Sequence, residues 1–267
     1  MIPFVKAHAC GNDFLIVDDS LADGEHGELA QRLCARNSGV GADGVEYVVA
    51  GKGEDTEIRL FNADGSEAEI SGNGTRCVAA WFAYSLGKKE MNVLTKAGSR
   101  RCREIGRSGS TLHIETEMGV PIVKEYSVRL TEQLVLHGAV VSVGNPHYVV
   151  FVESEDFLVQ GIPWRQMGEM IVNHSDFPDG TNAEFVRILD RETIAFRIYE
   201  RGVGPTLSSG TGSCASAAAS MVLRGTEPTL AVIAEGGEQT VCWPDTSESM
   251  LLTGPATIVA RGEAYLL

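Results

Sequence analysis

The chain has 267 residues and a formal net charge of −14, so it lacks the basic footprint that a polyanionic partner such as nucleic acid requires. A hydrophobic fraction of 43% with 22% charged residues is that of a soluble globular protein long enough for two domains, and its scattered acids read as solvated surface. Six cysteines without a CxxC or metal-ligand spacing exclude a disulfide scaffold and a zinc-type centre.

"FVKAHACGNDFLIVDD" opens with a strand-like run that breaks at Gly11-Asn12-Asp13 and resumes. "HGELAQRLCARNSGVGADG" predicts a short amphipathic helix with Leu29, Leu33 and Cys34 on one face and Gly39 closing it. "VEYVVA" and "TEIRLFNADG" predict strands, the second ending in a turn at Ala63-Asp64-Gly65. From Asn73 to Leu86 the pattern is helical and apolar all round, as in a buried helix. Short strands follow as far as Met118-Gly119. The order then repeats: strands in "VVSVGNPHYVVFVE", a helix in "PWRQMGEMIV", two strands around Asp190-Arg191, the apolar helix "CASAAASMVLRG", and closing strands.

This repetition predicts an α+β fold of two pseudosymmetric domains, each a curled, mostly antiparallel sheet around a central buried helix. The expected boundaries are residues 1–118 for the first domain, completed by the final strand at about 255–267, and 119–254 for the second. No apolar run reaches the ~18 residues needed to span a bilayer. The start lacks the pattern of a signal peptide, so the expected location is the cytoplasm.

Each buried helix is preceded by the same short device, "SGNG" from Ser71 and "SGTG" from Ser209. A helix N-terminus carries unpaired N–H groups and partial positive charge, and glycine there lets a ligand approach them closely. Serine is also a favoured N-cap, which accounts for either motif alone. Their recurrence at matching places instead points to two anion seats, each with a hydroxyl beside it. Facing each other, they would hold one carbon from opposite sides for proton removal and return.

"GNDFLIVD", "GVGADG", "FNADGSEAEISGNGTRC", "VGNPH", "GTNAEF" and "YERGVGPTLSSGTGSC" together resemble, in order and over nearly the whole chain, the motifs of the diaminopimelate epimerase family. The resemblance implies conversion of LL-diaminopimelate to the meso form, a step of lysine biosynthesis, in a cleft between two domains. It implies no cofactor, neither pyridoxal phosphate nor metal. The partner is a small-molecule amino acid, with no nucleic acid and no membrane, and a homodimer is left open.

The implied catalytic residues are Ser71, Ser209, His147 and Glu200; the family carries cysteine at the first two positions. Substrate would be held by Asn12, Asn62, Gly72, Asn73, Asn145, Asn182, Glu200, Arg201, Gly210 and Thr211. Of these, Asn62, Asn182, Glu200 and Arg201 would take the distal end, and Gly72-Asn73 and Gly210-Thr211 the carboxylate at the reacting end. Pro205 stands where the family commonly has glutamate. Cys77 and Cys214 lie too far into their helices to replace the missing thiols.

A serine hydroxyl stays neutral where a thiol ionises near about 8.5, so it is a weak base unless activated. Three readings stay open at this stage: an epimerase whose cysteines were changed to serine, a natural member using serines for this or related Cα-proton chemistry such as isomerisation or dehydration, and a binding paralogue without turnover. His147 is a candidate activator of a junction side chain.

Overall fold

The computed structural model describes residues 1–50 and 55–265. Residues 266 and 267 of the expected final strand lie outside them. The chain divides into two compact units, one of Met1–Glu117 with Thr253–Leu267 and one of Met118–Leu252.

The first unit contains β1 (Ile2–Ala9), β2 (Asn12–Asp18), α1 (His26–Cys34), β3 (Gly44–Ala50), β4 (Thr56–Asn62), β5 (Glu67–Ala68), α2 (Gly72–Leu86), β6 (Glu90–Thr95), β7 (Gly98–Ser108) and β8 (Thr111–Glu117). The second contains β9 (Ile122–Arg129), β10 (Val135–Ser142), β11 (Pro146–Phe151), β12 (Leu158–Val159), β13 (Ile162–Pro163), α3 (Trp164–Val172), β14 (Asn182–Ile188), β15 (Thr193–Glu200), β16 (Gly204–Thr206), α4 (Gly210–Arg224), β17 (Thr229–Ala234) and β18 (Gly237–Cys242). Strand β19 (Leu251–Ala264) runs back along β1 in antiparallel register.

The pairing order recurs. In the first unit β1 pairs antiparallel with β2, β2 parallel with β3, β3 antiparallel with β4, and β4 parallel with β6. In the second, β10, β11, β14, β15 and β17 repeat those four relations in the same sequence. The parallel steps cross over through α1 and α3, and then through α2 and α4, as parallel neighbours require. Among the described residues no helix is long and apolar enough to cross a membrane.

Helix α2 is the centre of the first core. Cys77, Val78, Ala79, Ala80 and Ala83 pack on Phe14, Ile16, Ile58 and Leu60 from the strands around it. Helix α4 buries Cys214, Ala215, Ala217, Ala218 and Ala219. Its buried hydroxyls bond back onto the helix, Ser213 to the Ser209 carbonyl at 2.8 Å and Ser220 to that of Ser216 at 2.8 Å. Both helices end at a left-handed glycine, Gly87 and Gly225, where a side chain would be strained.

Two sequence expectations shift. Helix α1 buries Leu29, Leu33 and Cys34 on one face but ends at Cys34 rather than running to Gly39. The segment after it folds back, so that the Val40 and Gly41 N–H groups reach the Leu33 carbonyl and the Ala42 N–H reaches that of Cys34. Strand β9 escapes the sequence pattern because it is largely exposed and shows no alternation of apolar and polar residues.

Candidate functional site

Ser71 is the N-cap of α2. Its backbone is extended, and its hydroxyl accepts the Gly74 N–H at 3.0 Å. Ser209 does the same for α4, accepting the Gly212 N–H at 3.2 Å. The first bonds of the helical ladders run from Thr75 to the Ser71 carbonyl and from Ser213 to the Ser209 carbonyl. Gly72-Asn73 and Gly210-Thr211 therefore stand ahead of the ladders, at the electropositive tips. Capping and ligand seating are compatible, because a cap occupies one lone pair of the hydroxyl and leaves its proton.

At the α4 tip the hydroxyl joins a chain of polar groups. Glu184 Oε1 lies 2.6 Å from His147 Nδ1, and both residues are fully buried. His147 Nε2 lies 2.8 Å from Asn145 Oδ1; Asn145 Nδ2 donates to Thr211 Oγ1 at 3.3 Å; and Thr211 Oγ1 is 3.4 Å from Ser209 Oγ. The imidazole thus bridges the Glu184 carboxyl and the Asn145 amide oxygen. Burial raises the Glu184 pKa above the ordinary carboxylate value, and His147 opposes that only in part. His147 thus reaches Ser209 through Asn145 and Thr211, not by direct contact.

The α2 tip is built differently. His147 pairs with Asn182 across β11 and β14, and Glu184 follows Asn182 by two residues. In the same register Phe14 pairs with Gly44 across β2 and β3, and Glu46 follows by two. A phenylalanine therefore replaces the imidazole, and Glu46 is fully buried with neither carboxyl oxygen hydrogen-bonded among the described residues. Burial alone pushes it up to about 8. Glu46 and Glu184 also border corresponding glycines. A Cβ on Gly74 would meet Glu46 Oε1 at 1.8 Å, and one on Gly212 would meet Glu184 Oε1 at 3.1 Å.

Beside the α2 tip, Asn73 Nδ2 donates to Asn12 Oδ1 at 3.1 Å, and Asn12 Nδ2 donates to Asp43 at 2.9 Å. Arg36 bridges Asp43 and Asp13, and Lys6 pairs with Asp13 at 2.9 Å. Burial would raise Asp13, but Lys6 and Arg36 outweigh it and hold the carboxyl below its usual value. Asn12 and Asn73 thus bond each other. Asn62 closes its own turn, donating to Ser66 Oγ at 3.0 Å.

In the second unit Asn182 Oδ1 accepts the Arg201 N–H at 2.9 Å and its amide donates to the Pro146 carbonyl. Arg201 Nη1 donates to the Asp179 carbonyl, and Glu200 accepts from the Thr206 hydroxyl. Cys77 and Cys214 are fully buried, and burial lifts the Cys77 thiol well above its usual range.

Sequence reasoning missed Glu46 and Glu184. The signal was spacing: Glu46 stands 25 residues before Ser71, and Glu184 stands 25 before Ser209. Each sits in an apolar strand, where a glutamate costs free energy unless something uses it.

The profile of the family described as "Diaminopimelate epimerase" matches residues 4–123 and 139–259. A diaminopimelate epimerase from Moorella thermoacetica is 36% identical over 97% of this chain and 98% of its own. Among solved structures, a phenazine biosynthesis protein of the PhzF family from Bacillus anthracis superposes with a TM-score of 0.74 at 19% identity, covering 100% of this chain and 99% of that one. A probable proline racemase from Agrobacterium radiobacter K84 gives 0.75 at 16%, covering 100% and 93%. At these identities the structures establish a shared fold. With the sequence match over both halves, the chain belongs to the diaminopimelate epimerase family.

Proposed function

We propose that this protein epimerises LL-diaminopimelate to the meso form in the cytoplasm by moving a Cα proton, without a cofactor. The observation that carries the reading is the recurrence of one serine-capped, glycine-rich helix tip in corresponding places of two units, in a chain of this family. Removing a proton from Cα places charge on the neighbouring carboxylate. Helix N-termini are preorganised to stabilise such charge.

At the α4 tip the buried His147–Glu184 pair orients Asn145, whose amide donates to Thr211, and Thr211 lies against the Ser209 hydroxyl, so the polar chain fixes that hydroxyl at the helix tip. Asn62, Asn182, Glu200 and Arg201 hold the distal amino and carboxylate groups. Gly72-Asn73 and Gly210-Thr211 offer amides to the proximal carboxylate.

Incubation with LL-diaminopimelate in deuterated water tests this. The expected result is deuterium at one Cα, with appearance of the meso isomer. Tight binding without exchange, or loss of water from the substrate, would overturn the reading.

A further inference from the structure

The segment that presents Ser209 is held from behind by a side chain outside the motifs of the site. Gln239 stands in β18 and is buried. Its amide Nε2 donates to Ser208 Oγ at 2.9 Å and to Ser213 Oγ at 3.2 Å, one hydrogen to each hydroxyl. Ser213 Oγ in turn donates to the Ser209 carbonyl at 2.8 Å, the same carbonyl that accepts the Ser213 N–H. One residue further back, the Leu207 carbonyl accepts the Gly236 N–H at 2.8 Å, from the turn between β17 and β18. Leu207, Ser208 and Ser209 are therefore each tied to that hairpin or to α4, and the cap bond from Gly212 fixes the Ser209 hydroxyl at the end of them.

The fold does not require this brace. Strands β6 and β7 of the first unit pair as β17 and β18 do, with Thr95 opposite Gly98 as Ala234 is opposite Gly237, so Arg100 holds the place of Gln239. Arg100 donates to the Ser99 and Ala97 carbonyls of its own hairpin. Ile70 precedes Ser71 where Ser208 precedes Ser209, and the buried Thr75 hydroxyl, at the place of Ser213, has no hydrogen-bond partner among the described residues. Helix α2 is nevertheless capped as α4 is. Gln239 also leaves its own carbonyl oxygen buried without a hydrogen-bond partner among the described residues, a cost that an apolar side chain of its size would not carry.

Resting on the epimerase reading above, we propose that Gln239 is a positioning residue for the α4 side. It locks the segment from Leu207 to Ser209, so that the Ser209 hydroxyl stands at one fixed place relative to the substrate Cα. Gln239 itself touches no substrate and moves no proton. Its effect is on the geometry of proton transfer, where a displacement of about 1 Å slows a step by about 10²-fold. Affinity rests instead on groups such as Asn182, Glu200 and Arg201, to which the Gln239 amide does not donate.

The experiment is steady-state epimerisation of LL-diaminopimelate, with urea unfolding alongside, for the wild type, Gln239→Leu, and a triple variant that adds Ser208→Ala and Ser213→Ala. Gln239→Leu should lower kcat by about 10- to 100-fold and leave KM within about threefold, the pattern of a geometry lost only in the transition state. It should also lower the urea midpoint, because two buried hydroxyl oxygens lose their donor. The triple variant removes those hydroxyls as well, so its midpoint should return to that of the wild type or pass it while kcat stays low. A purely structural role would restore kcat together with the midpoint, and that result would overturn the proposal. Wild-type kcat in Gln239→Leu, or a loss confined to KM, would also overturn it and leave the epimerase reading intact. A wild type that forms no meso isomer would remove the epimerase reading, and this proposal with it.

Discussion

Replacing Ser71 and Ser209 together by cysteine should raise the epimerisation rate by about 10²- to 10⁴-fold. A thiol ionises near about 8.5, and a helix N-terminus lowers that further, whereas a serine hydroxyl stays neutral throughout the working range of an enzyme. Both serines sit at such a tip, with a cap bond from the third residue of the helix, so a thiolate formed there would be stabilised by the same amides. Sulfur is a poorer cap than a hydroxyl, and each substitution should cost roughly 0.5–1 kcal/mol of stability. The gain and the cost are read separately, by isomer formation and by thermal unfolding. A double variant as slow as the parent would dismiss the thiol-to-hydroxyl difference as the limit on this protein.

The second large effect is a pair of opposite signs at equivalent positions. Glu46 is held at about 8 in the folded chain, against an ordinary value near 4.3 when unfolded. Its folded form binds the extra proton, so the favourable contribution is complete below the unfolded value and is lost as pH climbs through the folded one. Between pH 5 and pH 8 the wild type should therefore lose about 2–4 kcal/mol at this site. Glu46→Leu should escape that loss, so its advantage over the wild type widens with pH.

Glu184→Leu should do the reverse. It leaves His147 buried without its partner, at a cost of about 3–5 kcal/mol. Urea denaturation at pH 5 and pH 8 reads both. Parallel stability curves for the wild type and Glu46→Leu would refute the assignment of a buried, unpaired carboxyl. A protein that keeps such a carboxyl carries a stability cost that grows with pH.

Much of this protein is legible in its residues alone. The helices from 72 and from 210 declare themselves because, apart from Arg76 and Arg224, every face of each is small or hydrophobic, and the glycine-serine turns mark where they begin. The family is carried by six ordered motifs, which need no coordinates. Helix α1 was placed by its apolar face, although its end was set by Val40, Gly41 and Ala42 folding back onto the last carbonyls, contacts that local propensity does not encode. Strand β9 is held by its pairing to β10 rather than by a buried face, so hydrophobic period could not reveal it.

The site divides in the same way. Ser71, Ser209 and His147 could be picked out from motif and residue type. Only the tertiary structure decided that His147 reaches Ser209 through Asn145 and Thr211, and that Phe14 occupies the corresponding place in the first unit. It also decided that Glu46 and Glu184 lie against Gly74 and Gly212. The physical reason is that strand register and burial are set by long-range pairing, and burial is what makes a glutamate hold its proton more firmly than usual.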